Sequence, residues 1–155
     1  ERRGAIRLQG GASRGIQCLI SLNDQPNEGL GLPVVGRVAA GVPIDSVTHI
    51  EKMVPIQPRL FSSAPDFLLR VQGESMIDIG IFDGDLLAVR KSDTAKHGEI
   101  VVVRINGEVT VKRFDKSAKG VRLLSENQLF EPILVQPGSE FFIEGLAVGV
   151  IRTVL

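Results

Sequence analysis

The sequence predicts a mainly β protein on three observations. Short segments rich in Val, Ile and Leu recur throughout residues 32–155. Turn-forming dipeptides separate them, notably Asp83-Gly84, Asn106-Gly107 and Pro137-Gly138. No stretch carries the 3.6-residue apolar period of a long helix, and no segment repeats. An all-β domain with short helical turns follows for residues 32–155.

Each element has a local reason. Near the start, Ala5-Ile6-Arg7-Leu8 and Gly15-Ile16-Gln17-Cys18-Leu19-Ile20 flank a Gly10-Gly11 pair and read as a β-hairpin. A hairpin alone is marginal in water, so it should belong to something larger. Residues 23–31 are rich in turn formers and poor in apolar side chains, which marks a linker. Expected strands then run over Val34–Ala39, Phe67–Val71, Leu86–Arg90, Ile100–Ile105, Glu108–Phe114, Val121–Leu124 and Phe141–Ile151. The pair around Asn106-Gly107 is the firmest hairpin, because that dipeptide suits the positive φ angles of a type I′ turn. The last strand carries apolar residues expected to be exposed near a sheet edge.

Composition narrows the class. A chain of 155 residues hides roughly 70% of its unfolded surface on folding. Its 43% hydrophobic content exceeds what a disordered chain carries. Lys and Arg balance Asp and Glu at 18 each, which argues at first against a nucleic-acid binder. The balance is uneven, however. Residues 1–22 hold four arginines against one glutamate, a local charge of +3, and the remainder carries −3. The chain opens at Glu1 without an initiator methionine, so a preceding domain is expected to be missing. Cys18 is the single cysteine and cannot form an internal disulfide or a Cys-based zinc site. With no apolar run near the roughly 20 residues of a membrane span and no signal peptide, the expectation is a cytoplasmic protein without membrane anchor.

Few residues offer chemistry. His49 and His97 stand apart, without Cys or acidic partners at ligand spacing, and read as ordinary histidines. Asp83-Gly84-Asp85 has too few oxygen ligands for a calcium loop and reads as a turn. No phosphate-binding glycine loop occurs. Neither a cofactor nor a metal is expected. A nucleophile would therefore need activation by something other than histidine, and a Ser/Lys dyad is available. A lysine shielded from water loses its proton more easily and then deprotonates a serine hydroxyl. Gly73-Glu74-Ser75-Met76 follows an apolar strand, where a hydroxyl and backbone N–H groups converge. Taken alone it is a weak signal, and a surface turn is the commoner meaning. Lys112 shares a strand face with Thr110, normally the solvated one. If that face instead covers Ser75, the lysine is desolvated.

Five segments together carry a resemblance. Gly36-Arg37-Val38-Ala39-Ala40-Gly41, Gly73-Glu74-Ser75-Met76, Asp83-Gly84-Asp85-Leu86-Leu87-Ala88-Val89, Thr110-Val111-Lys112-Arg113 and Glu144-Gly145-Leu146-Ala147-Val148-Gly149-Val150-Ile151-Arg152 occur in order. Residues 32 to about 152 thereby resemble the LexA family of bacterial SOS repressors, which are self-cleaving Ser/Lys peptidases. Ser75 lies 35 residues after Ala40, and Lys112 another 37 beyond, in agreement with that family. The resemblance implies a β-rich, dimeric C-terminal domain in which Ser75 is the nucleophile, Lys112 the general base and Ala40–Gly41 the scissile bond. Small residues at Ala39, Ala40 and Gly41 let a strand enter a tight site, while Val38 and Ala39 anchor it. Backbone N–H groups of Glu74 and Ser75 are the expected oxyanion donors. A RecA filament on single-stranded DNA is the implied coprotease, shifting the population of the cleavable conformer.

The same resemblance makes residues 1–22 the wing of a winged helix-turn-helix domain, residues 23–31 the linker and residues 32–155 the self-cleavage and dimerisation domain. Arg3, Arg7 and Arg14 would contact DNA phosphates. The recognition helix does not occur in this sequence, so weak or no operator binding is expected of the chain as it stands. A UmuD-like, self-processing polymerase accessory subunit is the alternative within the fold, and the basic hairpin argues against it. A signal-peptidase-like enzyme and an inactive β domain are the readings from other classes.

Overall fold

A computed structural model describes the backbone of residues 6–8 and 16–18, and residues 31–38, 44 and 49–153 in full. Strands β1 (Ile6–Leu8) and β2 (Ile16–Cys18) pair antiparallel, with Ile6 opposite Cys18 and Leu8 opposite Ile16. The expected turn at Gly10-Gly11 lies outside the described residues, as do Arg3, Arg14 and the side chain of Arg7.

The remaining strands form one nine-stranded sheet. They are β3 (Leu32–Val35), β4 (Ile50–Val54), β5 (Phe67–Arg70), β6 (Leu86–Lys91), β7 (Ile100–Ile105), β8 (Glu108–Ser117), β9 (Gly120–Leu124), β10 (Ile133–Leu134) and β11 (Phe141–Ile151), in the order β10-β9-β8-β7-β11-β6-β5-β3-β4. Single 3₁₀ turns occur at Pro58–Leu60 and Ile77–Ile79. Among the described residues no helix is long and apolar enough to cross a membrane.

The hairpin β7–β8 turns at Asn106 and Gly107, whose φ angles of 50° and 83° are the left-handed pair a type I′ turn requires. Strand β7 is apolar on both sides because both sides are covered: Val101 and Val103 face one core cluster and Val102 another. Strand β3 is shorter than expected. It ends at Val35, after which the Gly36 N–H donates to the His49 carbonyl at 3.1 Å and the chain leaves the sheet. Ala39, the expected end of that strand, lies outside the described residues.

Two strands were not legible. Ile50–Val54 is an exposed edge strand carrying Glu51 and Lys52, so it lacks an apolar face. Ile133–Leu134 is too short for a pattern.

The placement of β11 corrects the expectation of an edge. Its first half pairs with β7, Phe141 opposite Ile105, and its second half with β6, Ile151 opposite Leu86. Register shifts between Ile143 and Gly145 and between Ala147 and Gly149 bend it. It is thus the internal strand that joins the two halves of the sheet, and the edges are β10 and β4. Phe142 and Val150 are exposed on it, but on a face.

The core cluster that matters for function contains Leu69, Val71, Met76, Leu87, Val102 and Val111. Burying each such side chain contributes about 1.5–3 kcal/mol. Met76 and Val111 adjoin Ser75 and Lys112 in the chain, so the same core that stabilises the fold fixes both backbones.

Candidate active site

Strand β5 delivers the chain to a tightly held turn. Gly73 adopts φ 87°, a conformation that costs a side-chain-bearing residue energy, and its N–H donates to Asp83 Oδ1 at 2.7 Å. Met76 is buried immediately after Ser75. On the far side, the Asp78 N–H donates to the Glu126 carbonyl at 2.8 Å, and Asn127 Nδ2 donates to the Glu74 carbonyl at 2.9 Å. The serine is half-buried on a loop pinned at both ends.

Strand β8 brings Lys112 to it. Nζ lies 2.9 Å from Ser75 Oγ, 2.8 Å from Thr110 Oγ1 and 3.0 Å from the Val111 carbonyl. Lys112 and Thr110 share a face, as alternation predicts, but that face is covered: the lysine is only 6% exposed. Among the described residues no carboxylate pairs with it. Burial therefore acts unopposed and pushes its pKa below the ordinary lysine value. A neutral amine has one lone pair, and the Ser75 hydroxyl stands where it would donate to it.

A groove of about 140 Å³ opens beside the serine, lined among others by Gly36, Val38, Leu69, Ser75, Thr110 and Val111. Val38 is half-buried and packs on the core cluster. Ala39, Ala40 and Gly41 lie outside the described residues. Where the chain runs on from β3 along the groove it is closely overlaid, since Glu51 lies across Gly36 and pairs with Arg70 at 2.9 Å. Among the described residues the N–H groups of Glu74 and Ser75 donate to no protein acceptor, which leaves them available to a reacting oxygen.

Several contributors escaped the sequence. Asn127 sits 53 residues from Glu74, and nothing local marks it. Thr110 carries a signal, two residues before Lys112 on the same face. Asp83-Gly84-Asp85 is a turn, as expected, yet both carboxylates are used. Asp83 holds Gly73, and buried Asp85 accepts from Arg152 Nε at 2.8 Å and from the Phe82 N–H at 2.8 Å. The Arg152 guanidinium, which also donates to the Gly80 carbonyl, holds the Asp85 carboxyl below its usual range. Neither histidine joins the site: His97 is exposed beside Asp115, and His49 is buried with Nε2 unpartnered among the described residues.

The family described as Peptidase S24-like matches residues 33–148. The chain is 52% identical to the LexA repressor of Bordetella avium (strain 197N), over 98% of its own length and 74% of that protein. It is 53% identical to the LexA repressor of Providencia rettgeri, over 97% and 73%. For the LexA repressor of Polaromonas naphthalenivorans (strain CJ2) the identity is 52%, over 97% and 70%. The chain belongs to the S24-like peptidases and, within them, to the LexA repressor family.

Proposed function

We propose that this chain is the regulatory part of an SOS-response repressor that inactivates itself by cutting between Ala40 and Gly41. The observation that carries this reading is the 2.9 Å approach of a buried lysine amine to Ser75 Oγ beside a groove that Val38 lines. Neutral Lys112 takes the proton from the Ser75 hydroxyl while Oγ attacks the Ala40 carbonyl carbon. The N–H groups of Glu74 and Ser75 receive the developing oxyanion. As the intermediate collapses, Lys112 returns the proton to the Gly41 nitrogen, which leaves as an amine. A water, deprotonated by the same lysine, then hydrolyses the Ser75 ester and frees the Ala40 carboxylate.

The substrate is tethered, so attack is intramolecular and the small residues 39–41 set how readily the segment enters the groove. Residues 1–22 are the wing of a DNA-binding domain, 23–31 a linker and 32–155 the self-cleavage and dimerisation domain. In the cytoplasm, a homodimer bound to operator DNA would lose its grip once cut. A RecA filament on single-stranded DNA binds the cleavable conformer and raises its population.

The test is incubation of the chain at mildly alkaline pH. Two fragments are expected, with new termini at Ala40 and Gly41, and none from Ser75→Ala. Cleavage of Ser75→Ala at the unsubstituted rate would overturn the mechanism. Active RecA filaments should accelerate the same cut at neutral pH. Cleavage of added peptides with an intact chain would instead favour a trans-acting peptidase.

A further inference from the structure

The peptide between Glu74 and Ser75 is gripped from one side. Asn127, 7% exposed, donates its Nδ2 hydrogen to the Glu74 carbonyl at 2.9 Å. Its own orientation is fixed, because Oδ1 accepts the Leu129 N–H at 3.0 Å and so turns the amide nitrogen toward Glu74. The neighbouring Glu126 carbonyl accepts from Asp78 at 2.8 Å. Two consecutive residues of the segment after β9 thus clasp the serine turn before and after Ser75. The peptide unit is planar and trans, as no cis bond occurs in the described backbone. Its N–H therefore points opposite to its C=O. Tying the Glu74 oxygen to Asn127 dictates where the Ser75 N–H aims, and that N–H has no protein acceptor among the described residues.

We infer that Asn127 is a positioning residue for the oxyanion site: by holding the Glu74 carbonyl it pre-aims the Ser75 N–H at the scissile carbonyl oxygen. The inference rests on the Ser75/Lys112 reading above. Preorganised donors are effective because they need no reorientation when charge develops. Without Asn127 the Glu74 carbonyl keeps only the longer bond from the Ile77 N–H at 3.4 Å, so the peptide unit rocks more freely and the donor loses its aim while Ser75 Oγ and Lys112 remain in place. Lys112 touches Ser75, Thr110 and Val111 but not Asn127, so a neutral substitution of Asn127 leaves its direct hydrogen bonds in place.

The decisive variant is Asn127→Ser, whose short hydroxyl does not reach the Glu74 carbonyl and which adds no charge near Lys112. First-order self-cleavage is followed from pH 7 to strongly alkaline, together with thermal unfolding. Expected is a cooperative fold, a rate lower by about tenfold or more at every pH, and a pH midpoint equal to that of the unsubstituted chain. An unchanged rate would overturn the inference. So would a loss recovered in full at high pH, since the effect would then run through Lys112. If Asn127→Ser does not fold, Asn127→Ala gives the same reading, because it likewise lacks the Nδ2 donor and adds no charge. Failure of both to fold would make Asn127 a purely structural residue and remove the assignment. Ser75→Ala, run in parallel, separates the two layers: if it still cleaves, the dyad reading fails whatever Asn127 does.

Discussion

Lys112 presents its Nζ to Ser75 Oγ across 2.9 Å although the two residues stand 37 positions apart. Burial lowers the lysine's pKa, and among the described residues no anion pairs with it to oppose the shift. The neutral fraction, and with it the self-cleavage rate, should rise with pH and level off below the ~10.4 midpoint of an exposed lysine. Densitometry of the fragments over a pH series checks this. A midpoint at the exposed value would contradict the role of burial.

The same burial makes a stability prediction. Between its depressed folded pKa and its unfolded value, Lys112 is neutral when folded and charged when unfolded. The unfolded chain then binds more protons, so stability rises with pH through that window. Below it, the folded state carries the whole cost of the buried charge. Lys112→Met, apolar and of similar length, should raise Tm at neutral pH, with the gain shrinking toward strongly alkaline pH. A gain independent of pH would count against the account.

Asp85 behaves in the opposite sense. Its carboxyl is held low first by the hydrogen bonds from Arg152, with the Phe82 N–H assisting against the effect of burial. A carboxylate with a lowered folded pKa contributes stability above its unfolded value of ~3.9, and that contribution is lost as pH falls through the folded pKa. Asp85→Asn leaves Arg152 without its counter-charge and should lower Tm by several degrees at neutral pH. In strong acid the variant and the unsubstituted chain should melt together.

Two glycines should respond differently to alanine. A Cβ on Gly36 would stand 2.0 Å from Glu51 Oε1, the end of a flexible side chain. Glu51 can swing aside, losing an ion pair with Arg70 whose side chains are 39% and 34% exposed. Such pairs contribute about 0–1 kcal/mol, so Gly36→Ala should be mild. At Gly31, φ is 73° and a Cβ would meet the Val54 carbonyl oxygen at 1.8 Å, which is backbone of the paired strand. Gly31→Ala should cost at least about 2 kcal/mol, from left-handed strain together with displacement of β4. Urea denaturation of the pair tests the contrast.

The features governed by short-range chemistry were legible in the sequence. Asn106-Gly107 predicts a type I′ hairpin because those residues tolerate positive φ, and the observed angles match. The double-sided apolar run of β7 and the turn at Gly84 were legible for the same kind of reason. The motifs around Ser75 and Lys112 were likewise readable, since they lie within a few residues of each other in each segment. Tertiary structure decided what alternation leaves open. Period two puts Lys112 and Thr110 on one face, but whether water reaches that face depends on the Ser75 turn laid against it. It also decided that Phe141–Ile151 runs between β6 and β7 rather than along an edge, because pairing partners are chosen over long loops that no local pattern encodes. A lysine's charge state is a property of its surroundings, and here they include a serine 37 residues away in the chain.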